Sequence, residues 1–203
     1  MKVWRDIFTG DAMVSKEFKS KEIFGGAGLE VVGTFLTQRY TPSETIKEER
    51  SQTIGLDEVN GRTSSSSALD GRIDIVEKFG LKEIKLEKGT WGTYIKMYIK
   101  RINTKLEEEN KVERIAPFQT GAADLARMIL KMYDEVKLYQ GKSGDALAGY
   151  AYCYHKIRED LSKRPHFLFF QDGLTTDEDI TKRSTEQQAA LVAANRTNSI
   201  RER

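Results

Sequence analysis

Trp91-Gly92-Thr93-Tyr94-Ile95-Lys96-Met97-Tyr98-Ile99-Lys100-Arg101-Ile102-Asn103-Thr104-Lys105-Leu106 decides the reading of this chain. On a 3.6-residue period, Trp91, Ile95, Tyr98, Ile99, Ile102 and Leu106 fall on one face. Lys96, Lys100, Arg101 and Lys105 fall on the opposite half. The stretch holds no acidic residue, so its cations have no carboxylate at four-residue spacing within it. Charges opposite a core face ordinarily just solvate a helix, but unpaired basic charge also attracts acidic surfaces. Met97 lies among those charges as an apolar contact point. The run Glu107-Glu108-Glu109-Asn110 closes the helix, because its carboxylates oppose the negative end of the helix dipole.

A second amphipathic segment opens with Arg114-Ile115-Ala116-Pro117-Phe118-Gln119-Thr120-Gly121-Ala122-Ala123. Its stripe continues through Phe118, Ala122, Leu125, Ile129 and Met132 or Tyr133. Pro117 is expected in the first turn, where a missing N–H costs little. The short link predicts an antiparallel helical hairpin over about residues 90–135, apolar stripe to apolar stripe.

Strand-like segments bracket the hairpin: Val3 to Phe8, Gly28 to Leu36, Ile73-Asp74-Ile75-Val76, Val136 to Tyr139, Leu147 to His155, and His166 to Phe170. Strands, a helical pair, then strands predict an α+β domain rather than a doubly wound one. About residues 41–72 are polar and include Ser64-Ser65-Ser66-Ser67, so a mobile loop is expected there. Residues 175–203 read as a partly ordered extension. Within it, 184–195 has helical propensity, with Ser184 and Gln187 at capping-box spacing.

The chain has 203 residues, which suits one domain with a tail. Hydrophobic content of 38% against 32% charged residues implies that part of the length is unpacked. A formal net charge of +2 argues against nucleic acid as the primary partner. The lone Cys153 excludes an intrachain disulfide and fits a reducing compartment. No apolar run approaches the roughly 20 residues of a membrane helix, and the start of the chain lacks the apolar centre of a signal peptide. The expected location is the cytoplasm, with access to the nucleus.

The chain resembles the translationally controlled tumour protein family over about residues 1–174. The residues that carry the resemblance are Trp4-Arg5-Asp6, Gly71-Arg72-Ile73-Asp74-Ile75-Val76, Tyr94-Ile95-Lys96, Lys105-Leu106-Glu107-Glu108, Arg114 to Ala123, and Phe169-Phe170-Gln171-Asp172-Gly173-Leu174. Each motif alone is weak; their order and spacing are specific. The resemblance implies a twisted, mostly antiparallel β core of the β-tent type, shared with the zinc-binding Rab chaperones, with a helical hairpin beside it and a long mobile loop. It also implies weak calcium binding, microtubule association, and partners in growth and survival control.

The sequence also departs from the family pattern. Leu56-Asp57-Glu58-Val59-Asn60-Gly61 lacks the usual strongly acidic, Gly-Asn-rich signature. Asp11 is followed by Ala12 where a second acidic residue is usual, and Gly141 by Lys142 where Glu is usual. By the resemblance, Asp11, Ala12 and Lys142 lie on the face offered to small GTPases. Losing one carboxylate and replacing another by Lys weakens charge-specific docking there.

No other motif carries chemistry. Gly141-Lys142-Ser143 imitates the end of a phosphate-binding loop, but position 136 holds Val rather than the required Gly. Gly25-Gly26-Ala27-Gly28 reads as a turn. A structural zinc site needs about four Cys or His ligands, and the chain offers only Cys153, His155 and His166. Cys153 and His155 share one strand face, with Tyr150, Tyr152 and Tyr154 on the other. Asp6 and Asp11 lie where they can pair across strands, but spacing assigns no general acid, base or catalytic triad. Calcium requires about six to eight oxygens. The densest acidic clusters are Glu107-Glu108-Glu109 and Asp177-Glu178-Asp179, neither with loop geometry.

The expectation is therefore a non-enzymatic cytosolic adaptor with no tightly bound cofactor. Tubulin would be met by Lys96, Lys100, Arg101 and Lys105, and weak Ca²⁺ by Glu107, Glu108 and Glu109. Regulation of a small Ras- or Rab-type GTPase is the alternative.

Overall fold

In chain order the elements are β1 (Val3–Asp6), β2 (Ala12–Ser15), β3 (Ser20–Ile23), β4 (Gly28–Val32), β5 (Phe35–Thr37) and β6 (Leu69–Ile73). There follow α1 (Asp74–Phe79), β7 (Lys82–Ile84), α2 (Lys88–Glu108), α3 (Val112–Lys131), β8 (Lys137–Gln140), β9 (Ala151–Ile157), β10 (Lys163–Phe170) and β11 (Leu174–Thr176). The computed structural model describes residues 2–37, 69–157 and 162–179, with Thr181 and Thr185. The strands form a six-stranded sheet in the order β3-β4-β10-β9-β8-β7, a three-stranded sheet β11-β1-β2, and the pair β5-β6. Every pairing is antiparallel. The expected α+β architecture with an antiparallel core and a helical hairpin is thus present.

Strand alternation places a core on each side of the large sheet. Leu138, Tyr152, Tyr154, Leu168 and Phe170 pack under the hairpin with Trp91, Ile95, Tyr98, Ile102, Phe118, Leu125 and Ile129. The intervening Tyr139, Ala151, Cys153, Phe167 and Phe169 pack on the other side with Met13, Val14, Ile75 and Phe79. The stripe read from α2 is buried as expected, except that Tyr94 belongs to it and Ile99 is only partly buried. Of the two residues offered for the end of the α3 stripe, Tyr133 is buried and Met132 half-buried.

Several boundaries differ from the sequence reading, each for a physical reason. Ile73-Asp74-Ile75-Val76 is not a strand: Ile73 ends β6 and Asp74 starts α1. Asp74 Oδ1 accepts from the Thr34 and Ile75 amides at 2.9 and 2.7 Å, and Gly80, at φ 62°, stops the helix after 6 residues. Ile75 and Phe79, four apart, then share its buried face. α3 begins at Val112 rather than Arg114, so Pro117 lies past the first turn, and the bond its amide would have made to the Glu113 carbonyl is missing. The chain turns between the helices at Asn110, in the left-handed region at φ 56°, with the Lys111 amide donating to the Leu106 carbonyl at 2.9 Å.

The expected loop over 41–72 lies outside the described residues except for 69–72, which are part of β6. The extension expected from 175 starts inside β11, where Arg5 pairs with Thr175 and Trp4 with Thr176. The helix expected over 184–195 lies outside the described residues save Thr185, whose hydroxyl donates to the Thr181 carbonyl at 3.0 Å.

Candidate partner-binding surfaces

The basic half of α2 is not one surface. Arg101 turns inward: its guanidinium lies 3.9 Å from the Phe8 ring centroid and donates to the Leu147 carbonyl at 2.5 Å. It clamps the β1–β2 turn and the segment before β9 onto the hairpin. Lys105 pairs with Glu108 at 3.1 Å on its own helix. Lys96 and Lys100 remain exposed, one turn apart, with no partner among the described residues. Met97, half exposed at 50%, sits beside them. Of the four predicted cations, two therefore form a free face and two hold structure.

The residues of the expected GTPase corner do come together. Asp11 Oδ2 accepts from the Ser143 amide at 3.0 Å and the Ser143 hydroxyl at 2.5 Å, which joins the β1–β2 turn to the loop after β8. Gly141 packs so closely that an added Cβ would lie 2.3 Å from Asp11 Oδ2. Lys142 reaches over Gly80, and its carbonyl accepts from Lys82 Nζ at 3.1 Å. Ala12 packs against the second core as a half-buried apolar residue. Asp6 and Asp11 do not pair as carboxylates; Asp6 points inward, onto the Phe8, Thr9 and Gly149 amides.

The acidic clusters offer no ready cation cage. Consecutive residues on a helix point about 100° apart, so Glu107, Glu108 and Glu109 diverge. Glu108 pairs with Lys105 and Glu109 with Lys111. Asp177 pairs with Arg5, Glu178 with Lys2, and Asp179 accepts from the Thr176 hydroxyl at 2.6 Å. No group of three or more His, Cys, Asp or Glu among the described residues is arranged to hold a metal ion. Cys153 is fully buried, and burial pushes its thiol up to about 12. His155 stacks on Phe35 at 5.6 Å, whereas His166 bonds to Glu30 on the hairpin side, so the three residues considered for zinc do not converge.

The sequence reading missed a polar cluster around Glu30. Its Oε1 accepts from Tyr154 OH and Lys156 Nζ, both at 2.5 Å, and from His166 Nδ1 at 2.9 Å. Burial alone would raise the Glu30 carboxyl, but Lys156, Tyr154 and His166 outweigh it and hold the group below its ordinary range. Burial holds His166 low, against the pull of Glu30; burial with Lys163 and Lys137 holds His155 low. A histidine whose folded-state value lies below its unfolded value contributes full stability above the unfolded value, about 6.5, and loses it as pH falls through that point. The urea midpoint is therefore expected to decline below about pH 6.5 and further once Glu30 begins to protonate at lower pH. A flat midpoint from pH 8 to 5 contradicts this assignment.

The signature around Arg114 is structural. Arg114 holds Asp172 through Nε at 2.8 Å and Nη2 at 2.9 Å, and donates to the Gly25 and Gly26 carbonyls. The Asp172 carboxylate raises its guanidinium still higher. Gly25 and Gly26 form the predicted turn, both at positive φ. Distant motifs thus meet in one latch that seats α3 on the sheet.

These observations define an α+β protein in which a helical hairpin packs on a six-stranded antiparallel sheet and presents charged surfaces. The family model described as translationally controlled tumour protein matches residues 1–175. The translationally-controlled tumor protein homolog of Theileria parva is 31% identical over 179 residues, covering 87% of this chain and 99% of that protein. The rabbit (Oryctolagus cuniculus) protein is 33% identical over 174 residues, covering 86% and 97%. The chain belongs to the translationally controlled tumour protein family. The solved structure of the translationally controlled tumor-associated protein p23fyp from Schizosaccharomyces pombe matches with a TM-score of 0.64 at 26% identity, covering 87% of this chain and 98% of that one. The Caenorhabditis elegans family structure, at 18% identity and a TM-score of 0.60, is alike in fold. Among the described residues no helix is long and apolar enough to cross a membrane.

Proposed function

We propose that the chain is a non-enzymatic cytosolic binding protein whose hairpin docks on acidic protein surfaces, tubulin foremost, and which serves growth and survival control through such partners. The observation that carries this reading is the pair Lys96 and Lys100, exposed one turn apart on α2 with Met97 beside them and no carboxylate partner among the described residues. Two unpaired ammonium groups flanking an apolar contact suit a carboxylate-rich surface, and the attraction weakens with salt. A Lys96→Glu, Lys100→Glu variant is expected to lose most microtubule co-sedimentation with its circular dichroism unchanged. Lys105→Glu, at a cation already paired within the helix, is expected to lose much less. Unchanged pelleting of the double variant removes this face from the reading.

Weak calcium binding at the acidic end of α2, through Glu107, Glu108 and Glu109, belongs to the same reading; against it, Glu108 is paired with Lys105 and Glu109 with Lys111. A calorimetric titration without heat at millimolar Ca²⁺ eliminates it. GTPase regulation is the second reading. Its support is that Asp11 and Lys142 adjoin; against it, Asp11 already serves Ser143 and Ala12 packs inward. Accelerated nucleotide release by catalytic amounts of the chain would favour it.

A further inference from the structure

The side of the large sheet away from the hairpin carries an open cleft of about 840 Å³ where β5 and β6 approach β8, β9 and β10. That volume is in the range of about 300–1,000 Å³ typical of ligand sites. Its apolar surface comes from Phe35, Ile73, Tyr139, His155 and Pro165. Strand register explains the grouping: Pro165 is opposite His155, and Ile73 opposite Phe35. Phe35 and His155 stack with planes 14° apart, which leaves a flat aromatic platform.

The described residues that line the cleft carry charge of one sign. Lys137, Lys163 and Arg164 line it, and none of its described lining residues is acidic. Lys137 is partly neutralised by Glu83 at 3.0 Å. The Lys163 side chain has no hydrogen-bond or ion-pair partner among the described residues, and the Lys163 and Lys137 charges act together on His155. Arg164, next along β10, alternates toward His166 on the hairpin side and only borders the cleft. An aromatic platform beside the unpaired Lys163 and the partly neutralised Lys137 suits a group that is apolar at one point and anionic around it.

We propose that this cleft binds an acidic peptide segment of a partner protein, with one aromatic side chain seated on the Phe35–His155 platform and flanking carboxylates on Lys163 and Lys137. This site is on the opposite side of the sheet from the hairpin, so it is independent of the Lys96 and Lys100 face. The probe is a fluorescein-labelled Asp-Glu-Phe-Asp-Glu peptide, followed by anisotropy with the full chain at low salt. Saturable binding is expected. It should weaken by about tenfold when the peptide Phe is replaced by Ala, and by at least about tenfold in a Lys137→Gln, Lys163→Glu variant. Binding should persist in Lys96→Glu, Lys100→Glu, and the bound peptide should shift the amide resonances of Tyr139 and His155. No saturable binding overturns the proposal. So does equal binding of Lys-Lys-Phe-Lys-Lys, insensitivity to Lys137→Gln with Lys163→Glu, or loss only in the hairpin variant.

Discussion

Asp6→Ala is expected to destabilise the chain by about 4 kcal/mol, because it strips buried donors of their acceptor rather than removing a surface charge. Asp6 is 1% exposed. Its Oδ1 accepts from the Phe8 amide at 3.0 Å, the Thr9 amide at 2.9 Å and the Thr9 hydroxyl at 3.1 Å, which shapes the β1–β2 turn. Its Oδ2 accepts from the Gly149 amide at 2.8 Å, 143 residues away, beside the Tyr98 hydroxyl of α2. One carboxylate therefore ties three elements together: the hairpin turn, the segment entering β9, and the helix above them. Asp6→Asn keeps one acceptor oxygen and should cost about half as much. The measurement is urea unfolding by circular dichroism. A loss below about 1 kcal/mol for Asp6→Ala would mean that water replaces the carboxylate, contrary to the enclosure described.

Gly121→Ala is expected to destabilise by about 3 kcal/mol, the reverse of what helix propensity alone dictates. In an exposed helix interior, Gly→Ala gains about 0.5–1 kcal/mol. At Gly121 an added Cβ would lie 2.2 Å from the Phe24 carbonyl oxygen and 2.6 Å from Ala27 Cβ. The first obstacle is backbone in a turn with Phe24, Gly25 and Gly26 all at positive φ, so it cannot swing aside as a side chain would. α3 would have to lift off β4, and Arg114 would be drawn from Asp172. Gly92→Ala in α2 is the matched control: nothing lies within 4 Å of its added Cβ, and it should stabilise. Thermal denaturation of the pair should give shifts of opposite sign. Shifts of the same sign would mean that α3 has room to move.

The hairpin was legible because its information is local and long. Helices of 21 and 20 residues repeat their apolar period often enough to identify both type and buried face. α1 was not legible. Six residues give too little period to separate helix from strand, and its fate depends on Asp74 meeting the Thr34 amide 40 positions earlier. The short strands β2, β3 and β7 escaped notice for the same reason; Ser20-Lys21-Glu22-Ile23 is a polar edge strand whose pairing with β4 defines it. Arg101 and Lys100 look equivalent in the sequence. Phe8 and Leu147, both remote along the chain, make one a clamp and leave the other free.

By itself, then, the sequence determined the class of fold, the hairpin and its buried stripe, and the family, since these rest on periodicity and on motif order along the chain. The tertiary structure alone decided which charges are available. Asp11 was taken by Ser143, Arg101 by Phe8 and Leu147, and Asp172 by Arg114. It alone also assembled the cleft over Phe35 and His155, whose residues come from five separate strands. The physical reason is one of range. Backbone preference and apolar periodicity act over a few residues and can be read in order. Ion pairing and cavity shape depend on groups that only folding brings within a few ångströms of one another.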